Sequence, residues 1–160
     1  MDSADPNSQL LGAAQQDSIE LFETAMKRKC NINYVDGVHN TAVHYACQCG
    51  SLLVLEQILL KMTENLVYLK NVQGNTPLHC ALDSKWSNEK KSSMVTLLLK
   101  HNPLLLSRNK SGMTPIDMAS GSIKEQLQAI AASSQARKSP KKTNLNFFDK
   151  KDVDNDNDDE

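Results

Sequence analysis

The chain has 160 residues, a net charge of −1 and an aromatic content of only 4%. This length suits one domain with tails, and so small a net charge gives no indication of direct nucleic-acid binding. No apolar stretch approaches the roughly 18–20 residues that a membrane-spanning helix needs, so we expect no membrane insertion. The N-terminus, MDSADPNSQ, is acidic and unlike a signal peptide. Four cysteines in that context favour reduced thiols, and we expect a cytoplasmic or nuclear protein.

Similar sequence blocks recur along the chain. They read NTAVHYACQCGSL at 40–52, NTPLHCAL at 75–82 and MTPIDMAS at 113–120. Their threonines lie 35 and 38 residues apart, and a weaker block, SQLLGAAQQ, begins 33 residues before the first threonine. We therefore predict a flexible N-terminus, four repeated units and a tail. The predicted bounds are 1–7 for the N-terminus, 8–40, 41–75, 76–113 and 114–132 for the units, and 133–160 for the tail.

Each unit has the pattern of two helices. Thr followed by Pro predicts a helix start, because Thr can cap free N–H groups and Pro fits the first turn. Apolar second helices follow in DSIELFETAM (17–26), SLLVLEQILL (51–60) and MVTLLLKHNP (94–103). Gly37, Gly74 and Gly112 precede the threonines and predict turns that need a permissive backbone. The third unit has five extra residues between its helices, which predicts an insertion loop at 83–93 containing the only tryptophan, Trp86.

The motif T-P-L-H-x-A, followed by an apolar helix and repeated about every 33 residues, resembles the ankyrin repeat. The resemblance implies an all-α solenoid of about four helix-turn-helix repeats with short hairpin loops, whose core forms by stacking of neighbours. It also implies structural roles for the repeated Thr and His positions, where the histidine bonds to the main chain of the next repeat. These positions are Thr41, His44, Thr76, His79 and Thr114.

One of the same histidines also belongs to a pattern that could carry chemistry. His44, Cys47 and Cys49 form H-x-x-C-x-C, and Cys80 could lie nearby on the next repeat. Structural zinc sites normally pair two knuckles with two to four residues between ligands, and this pattern does not. No nucleophile motif or Gly-rich phosphate loop is present either. We therefore predict no metal, no cofactor and no enzyme, with a metal or enzyme site on these residues as an alternative.

The resemblance implies protein partners that meet the hairpin tips and the exposed edge of the first helices, a concave face. The partner-binding positions that it implies are Val38, His39, Tyr45, Gln48, Cys49, Gln73, Cys80, Asp83 and Met113. Trp86 joins them, either covering the end of a helix or waiting for a partner. The leading hypothesis is a non-catalytic adaptor, chaperone or regulatory subunit that is monomeric when free.

Beyond residue 133 the helical pattern stops, and dense charge predicts disorder. The basic stretch RKSPKK offers Ser139 as a phosphorylation site. Phe147, Phe148 and Asp149 resemble the two-phenylalanine acidic motif bound by VAMP-associated endoplasmic-reticulum proteins. An alternative hypothesis therefore makes this tail the main recognition element, either through the phenylalanines or by blocking a basic surface of a ribosomal or histone protein.

Overall fold

The computed structural model describes residues 4–83 and 85–138, which form α-helices, one 3-10 helix and loops without a β-strand. This confirms the predicted all-α class. The α-helices are α1 (Pro6–Gln16), α2 (Ile19–Lys27), α3 (Ala42–Cys49), α4 (Leu52–Lys61), α5 (Pro77–Asp83), α6 (Asn88–Leu99), α7 (Pro115–Met118) and α8 (Gly121–Lys138), and the 3-10 helix spans Leu66–Tyr68. Helix α1 thus begins within the segment predicted to be flexible, and α8 continues beyond the predicted repeat boundary at 132.

Two compact units divide the chain between Ser120 and Gly121. In the first unit, α1 packs on α2, α3 on α4 and α5 on α6, which gives three helix pairs. The first helices of the pairs stack in chain order, α1 on α3 on α5 on α7, and the second helices stack likewise. The second unit begins with α8. The loops between pairs therefore lie side by side at one end of each first helix.

The core of the first unit repeats with the sequence. Ala13, Ala46 and Ala81 occupy the same position in three first helices and are fully buried. Their small side chains let neighbouring helices approach closely, while Leu55 and Leu98 of the second helices fill the space behind them. Each buried leucine contributes about 1.5–3 kcal/mol of transfer free energy. Because one pair cannot cover its own apolar face, the stability comes from stacking of pairs.

The insertion predicted as a loop at 83–93 is mostly helical. Helix α5 ends at Asp83 and α6 already begins at Asn88. Ser87 caps α6 by accepting a hydrogen bond from the N–H of Lys90, and Glu89 lies in the first turn, where a negative charge is favourable. The prediction was therefore wrong for residues 88–93, where the extra residues lengthen α6 at its start.

One of the three predicted turn glycines was also misplaced. Gly74 and Gly112 have left-handed φ angles of 77° and 79°, and both lie two residues before the threonine. In the first loop that position is held by His39, with φ of 64°, and Gly37 does not have a positive φ. A histidine thus occupies a conformation that glycine adopts without a steric penalty.

Candidate functional site

Three successive loops before the first helices share one hydrogen-bond pattern. Asp36, Asn71 and Asn109 each lie five residues before the helix-capping threonine. In the second loop, Asn71 Oδ1 accepts from the N–H groups of Gln73 at 3.0 Å and Asn75 at 3.1 Å. Asp36 and Asn109 accept from the same relative positions in their loops. In each loop, the Asp or Asn side chain therefore fixes the backbone by accepting two hydrogen bonds from N–H groups of the same loop.

The loops are also joined to one another. Asn71 Nδ2 donates to Asn40 Oδ1 at 2.9 Å, and Asn109 Nδ2 donates to Asn75 Oδ1 at 2.8 Å. One backbone bond accompanies each amide contact. These bonds are Val72 N–H to Val38 O and Lys110 N–H to Gln73 O, both 3.0 Å long. Each loop is therefore held to the next by one side-chain bond and one backbone bond, which fix the loop tips relative to one another.

The repeated histidines connect the first helices to these loops by hydrogen bonds. Thr41 N–H donates to His44 Nδ1 at 3.1 Å, so the ring proton is on Nε2, which donates to Asn75 O at 3.0 Å. His79 repeats the arrangement, accepting from Thr76 N–H and donating to Met113 O at 2.9 Å. Burial lowers the pKa of both imidazoles and favours the neutral form. With both nitrogens engaged, neither ring is available as a metal ligand or a base.

Tyr45 is fixed by the first loop. Its hydroxyl donates a hydrogen bond to Asp36 Oδ2, and its ring is half-buried. Burial raises the pKa of Asp36, but hydrogen bonds from Tyr45 and from the N–H groups of Asn40 and Val38 outweigh it and leave that pKa lowered. Tyr45 therefore presents a rigid aromatic edge beside the first loop tip.

Two grooves lie along the first helices and share part of their lining. The Trp86 groove, of about 470 Å³, is lined by Gln48 at the end of α3, by α5 and by Lys85 and Trp86. The Met113 groove, of about 650 Å³, extends from α5 past the third loop to α7. Gln73, Asn75 and Asp83 line both grooves. The two together follow α3, α5 and α7 across three successive repeats.

Six of the ten predicted partner-binding residues line these grooves, namely Gln48, Gln73, Cys80, Asp83, Trp86 and Met113. Cys80 is only 5% exposed, with Gln48 Nε2 at 3.6 Å from its sulfur, so it offers little surface. The other four residues line neither groove. Val38 and His39 are exposed at the first loop tip, and Tyr45 and Cys49 are half-buried on α3.

Trp86 covers the end of α3. Its Nε1–H donates to Gln48 O at 3.3 Å, and Lys90 Nζ lies 4.6 Å from the centre of the ring. Gly50, the C-cap of α3, lies beneath the indole, where a Cβ would be 2.7 Å from Trp86 Cε2. Trp86 as a residue nevertheless remains 38% exposed and lines a groove. The structure therefore places Trp86 as a helix cover that leaves one edge free.

The sequence interpretation missed the residues that organise the surface. These are the loop amides Asn40, Asn71, Asn75 and Asn109 and the groove residues Val72, Asp117 and Met118. The loop residues carry a signal, because Asn71 and Asn109 keep the same offset from their threonines. The groove residues carry none, since they are brought together by contacts between successive repeats, namely the bonds between loops and the packing of α5 against α7.

Cys47 and Cys80 have the properties of buried thiols. Burial raises the pKa of Cys80 to about 11 and that of Cys47 well above its usual value. The thiolate, which is the nucleophilic and metal-binding form, is therefore disfavoured. Within residues 4–83 and 85–138, no group of three or more His, Cys, Asp or Glu side chains is placed to hold a metal ion. Nor is any described helix both long and apolar enough to cross a membrane.

Comparison with known proteins identifies the repeat. The family model described as ankyrin repeats (3 copies) matches residues 10–102. The chain belongs to the ankyrin repeat family. Ankyrin repeats are protein-interaction modules, and the family is typically non-catalytic. The ankyrin repeat-containing protein YGL242C of Saccharomyces cerevisiae is 30% identical over 131 residues, which cover 75% of this chain and 72% of that protein.

Segments of two longer proteins match as well. The SMC5-SMC6 complex localization factor protein 1 of Bos taurus and that of Homo sapiens are each 39% identical over 103 residues, or 62% of this chain. The match spans only 9% of the length of either relative.

The remaining predicted sites, namely Ser139, Phe147, Phe148 and Asp149, lie outside the described residues.

Proposed function

We propose that this ankyrin domain is a non-catalytic adaptor or regulatory subunit that holds a segment of a partner protein in the two joined grooves. The observation that carries the proposal is the continuity of the grooves across three repeats through Gln73, Asn75 and Asp83. In the family this surface of loop tips and first helices is the one that partners use. The two grooves supply it with exposed apolar walls, Trp86 and Met113, and with polar groups between them.

The rigidity of the surface supports a binding role. The loop tips are fixed by side-chain bonds from Asn71 and Asn109, and buried His44 and His79 tie each helix to the next loop. A surface organised in advance loses little conformational entropy when a partner docks, and this raises affinity without new contacts. The same engagement of the histidines and the raised pKa values of the buried thiols favour a non-catalytic role.

The relatives suggest where such a module works. Two matched proteins are named as localization factors of the SMC5-SMC6 complex, and the match is confined to a small part of each. We infer that this domain, too, serves to place a partner rather than to act on it, and that it does so in the nucleus. Imaging of the tagged full chain checks the location, and exclusion from the nucleus would remove this part of the proposal.

A test of the groove uses proximity labelling in cells with the full chain. Trp86→Ala with Met113→Ala removes the two apolar walls, and a chain ending at Lys138 removes the tail. Leu60→Ala is the matched control, since Leu60 is an exposed apolar side chain that lines neither groove. Partners that are lost with the double variant but kept with Leu60→Ala would support binding in the grooves.

The tail hypothesis is decided by the same experiment. If partners persist in the double variant and disappear from the chain ending at Lys138, the tail with Phe147 and Phe148 is the recognition element. In that case the grooves do not select partners, and the proposal for them fails.

A further inference from the structure

We propose that the joined grooves select an extended protein segment with a central arginine or lysine flanked on both sides by acidic residues, the basic side chain binding Asp83. This inference rests on the proposed function and adds the chemistry of the partner. It follows from the order of charges along the two grooves and from the position of Asp83 between them.

Asp83 is an unusual residue at the point where the grooves join. It is exposed, lines both grooves, and makes no hydrogen bond or ion pair with any residue of the described chain. It is also the last residue of α5, where the unpaired carbonyl groups of the helix end already carry partial negative charge. A carboxylate there is unfavourable for the free domain. A bound cation would relieve both the carboxylate and the helix end.

The charges on either side of Asp83 are positive. Lys85 lines only the Trp86 groove, and Lys110 lines only the Met113 groove. The third charged residue of the Met113 groove, Asp117, accepts a hydrogen bond from Thr114 N–H at 3.0 Å and caps α7. Apart from Asp117, which is held in the capping box of α7, the charged side chains along the joined grooves are therefore lysine, aspartate and lysine in that order. The complementary segment carries an acidic, a basic and a second acidic side chain in that order.

The remaining lining suits an extended main chain. Gln48 and Gln73 are exposed amides, which can both donate to and accept from peptide groups. The exposed edges of Trp86 and Met113 provide apolar contact on either side of Asp83. An arginine fits Asp83 best, because guanidinium and carboxylate form two parallel hydrogen bonds. A polyphosphate chain such as a nucleic acid would meet the carboxylate of Asp83 with repulsion.

The test selects ligands from a displayed library of random nine-residue peptides with the immobilised full chain. We expect enriched peptides to carry a basic residue with an acidic residue on each side. The variant Asp83→Lys is expected to enrich an acidic residue at the centre instead. Glu56→Gln, which removes an exposed carboxylate on α4 outside both grooves, is the control and should return the parent pattern.

Affinity measurement completes the test. Binding of the most enriched peptide, followed by fluorescence anisotropy, should weaken about tenfold with Asp83→Asn, since a charge-assisted hydrogen bond is lost. The inference fails if no peptide is enriched, if the central residue is not basic, or if Asp83→Lys returns the parent pattern. Partners that still depend on Trp86 and Met113 in cells would then leave the proposed function intact.

Discussion

The indole of Trp86 lies directly over Gly50, with no room for a side chain between the ring and the end of α3. Its Nε1–H donates to Gln48 O, and Lys90 stacks on the ring 4.6 Å from its centre. Trp86, an aromatic residue within the polar segment between α5 and α6, therefore covers the C-terminal end of α3. Because Gly50 also has a φ of 67°, two independent constraints favour glycine at this position.

Gly50→Ala is expected to lower the free energy of unfolding by about 2–4 kcal/mol, because left-handed backbone and overpacking each cost about 1–2 kcal/mol. Adding Trp86→Ala should recover the packing part, since the clashing atoms belong to the indole. Urea unfolding of the two single variants and the double variant gives the coupling free energy. Gly37→Ala is the control, because a Cβ there meets no atom of the described residues within 4 Å and the φ is not positive. Additive effects of the two substitutions would refute the packing argument.

His39→Gly is expected to stabilise the domain by about 0.5–1 kcal/mol, as left-handed strain at a non-glycine residue is worth slightly more than the entropy that glycine adds to the unfolded chain. The equivalent position in the next loop gives the opposite test. Gly74→Ala should destabilise, because its φ is 77° and a Cβ would lie 2.9 Å from Lys110 N. Thermal unfolding monitored by circular dichroism measures both. A fall in melting temperature with His39→Gly would show that the histidine side chain stabilises the loop.

Ser18 and Ser51 lie 33 residues apart at the N-caps of α2 and α4, but only one of them caps its helix. Ser18 Oγ accepts from Leu21 N–H at 3.1 Å, whereas Ser51 Oγ is buried without a hydrogen-bond partner among the residues that the structure describes. Ser18→Ala should therefore cost about 1 kcal/mol. Ser51→Ala should be neutral or stabilising, because it removes an unsatisfied buried hydroxyl. Equal losses in chemical denaturation would mean that Ser51 is satisfied in solution.

Residue patterns within one helical turn were enough to predict the helix starts. The position of Trp86 and the shape of the grooves depend on contacts between residues far apart in sequence, and they could not be predicted in this way. Thr41 and His44 belong to one turn, so their spacing sufficed to place the helix start. The charged segment at 88–93 suits a loop or a helix equally, and Ser87 as N-cap settles it as helix. The position of Trp86 depends on Gly50, which is 36 residues away in sequence. Likewise, the grooves gather residues from three repeats, so tip positions such as Gln73 were foreseeable while Asp117 and Met118 were not.

Domain stability is expected to fall as the pH drops below about 6.5, the usual pKa of histidine. Burial lowers the pKa of His44 and His79 in the folded chain, so below this pH the unfolded chain binds more protons and gains relative stability. The stability is thus complete above the unfolded pKa and is lost as pH falls through the folded values.

Urea unfolding between pH 7.5 and 5 measures the loss, and His79→Gln is the diagnostic variant. Its stability at pH 7.5 should be lower, because the bonds to Thr76 N–H and Met113 O are disturbed. Its dependence on pH should nevertheless be weaker, because one buried imidazole no longer titrates. Asp36, whose pKa is lowered, adds a further loss only at more acidic pH, below about 3.9. A parent stability that stays constant between pH 7.5 and 5 would mean that protonation of the two histidines does not oppose folding.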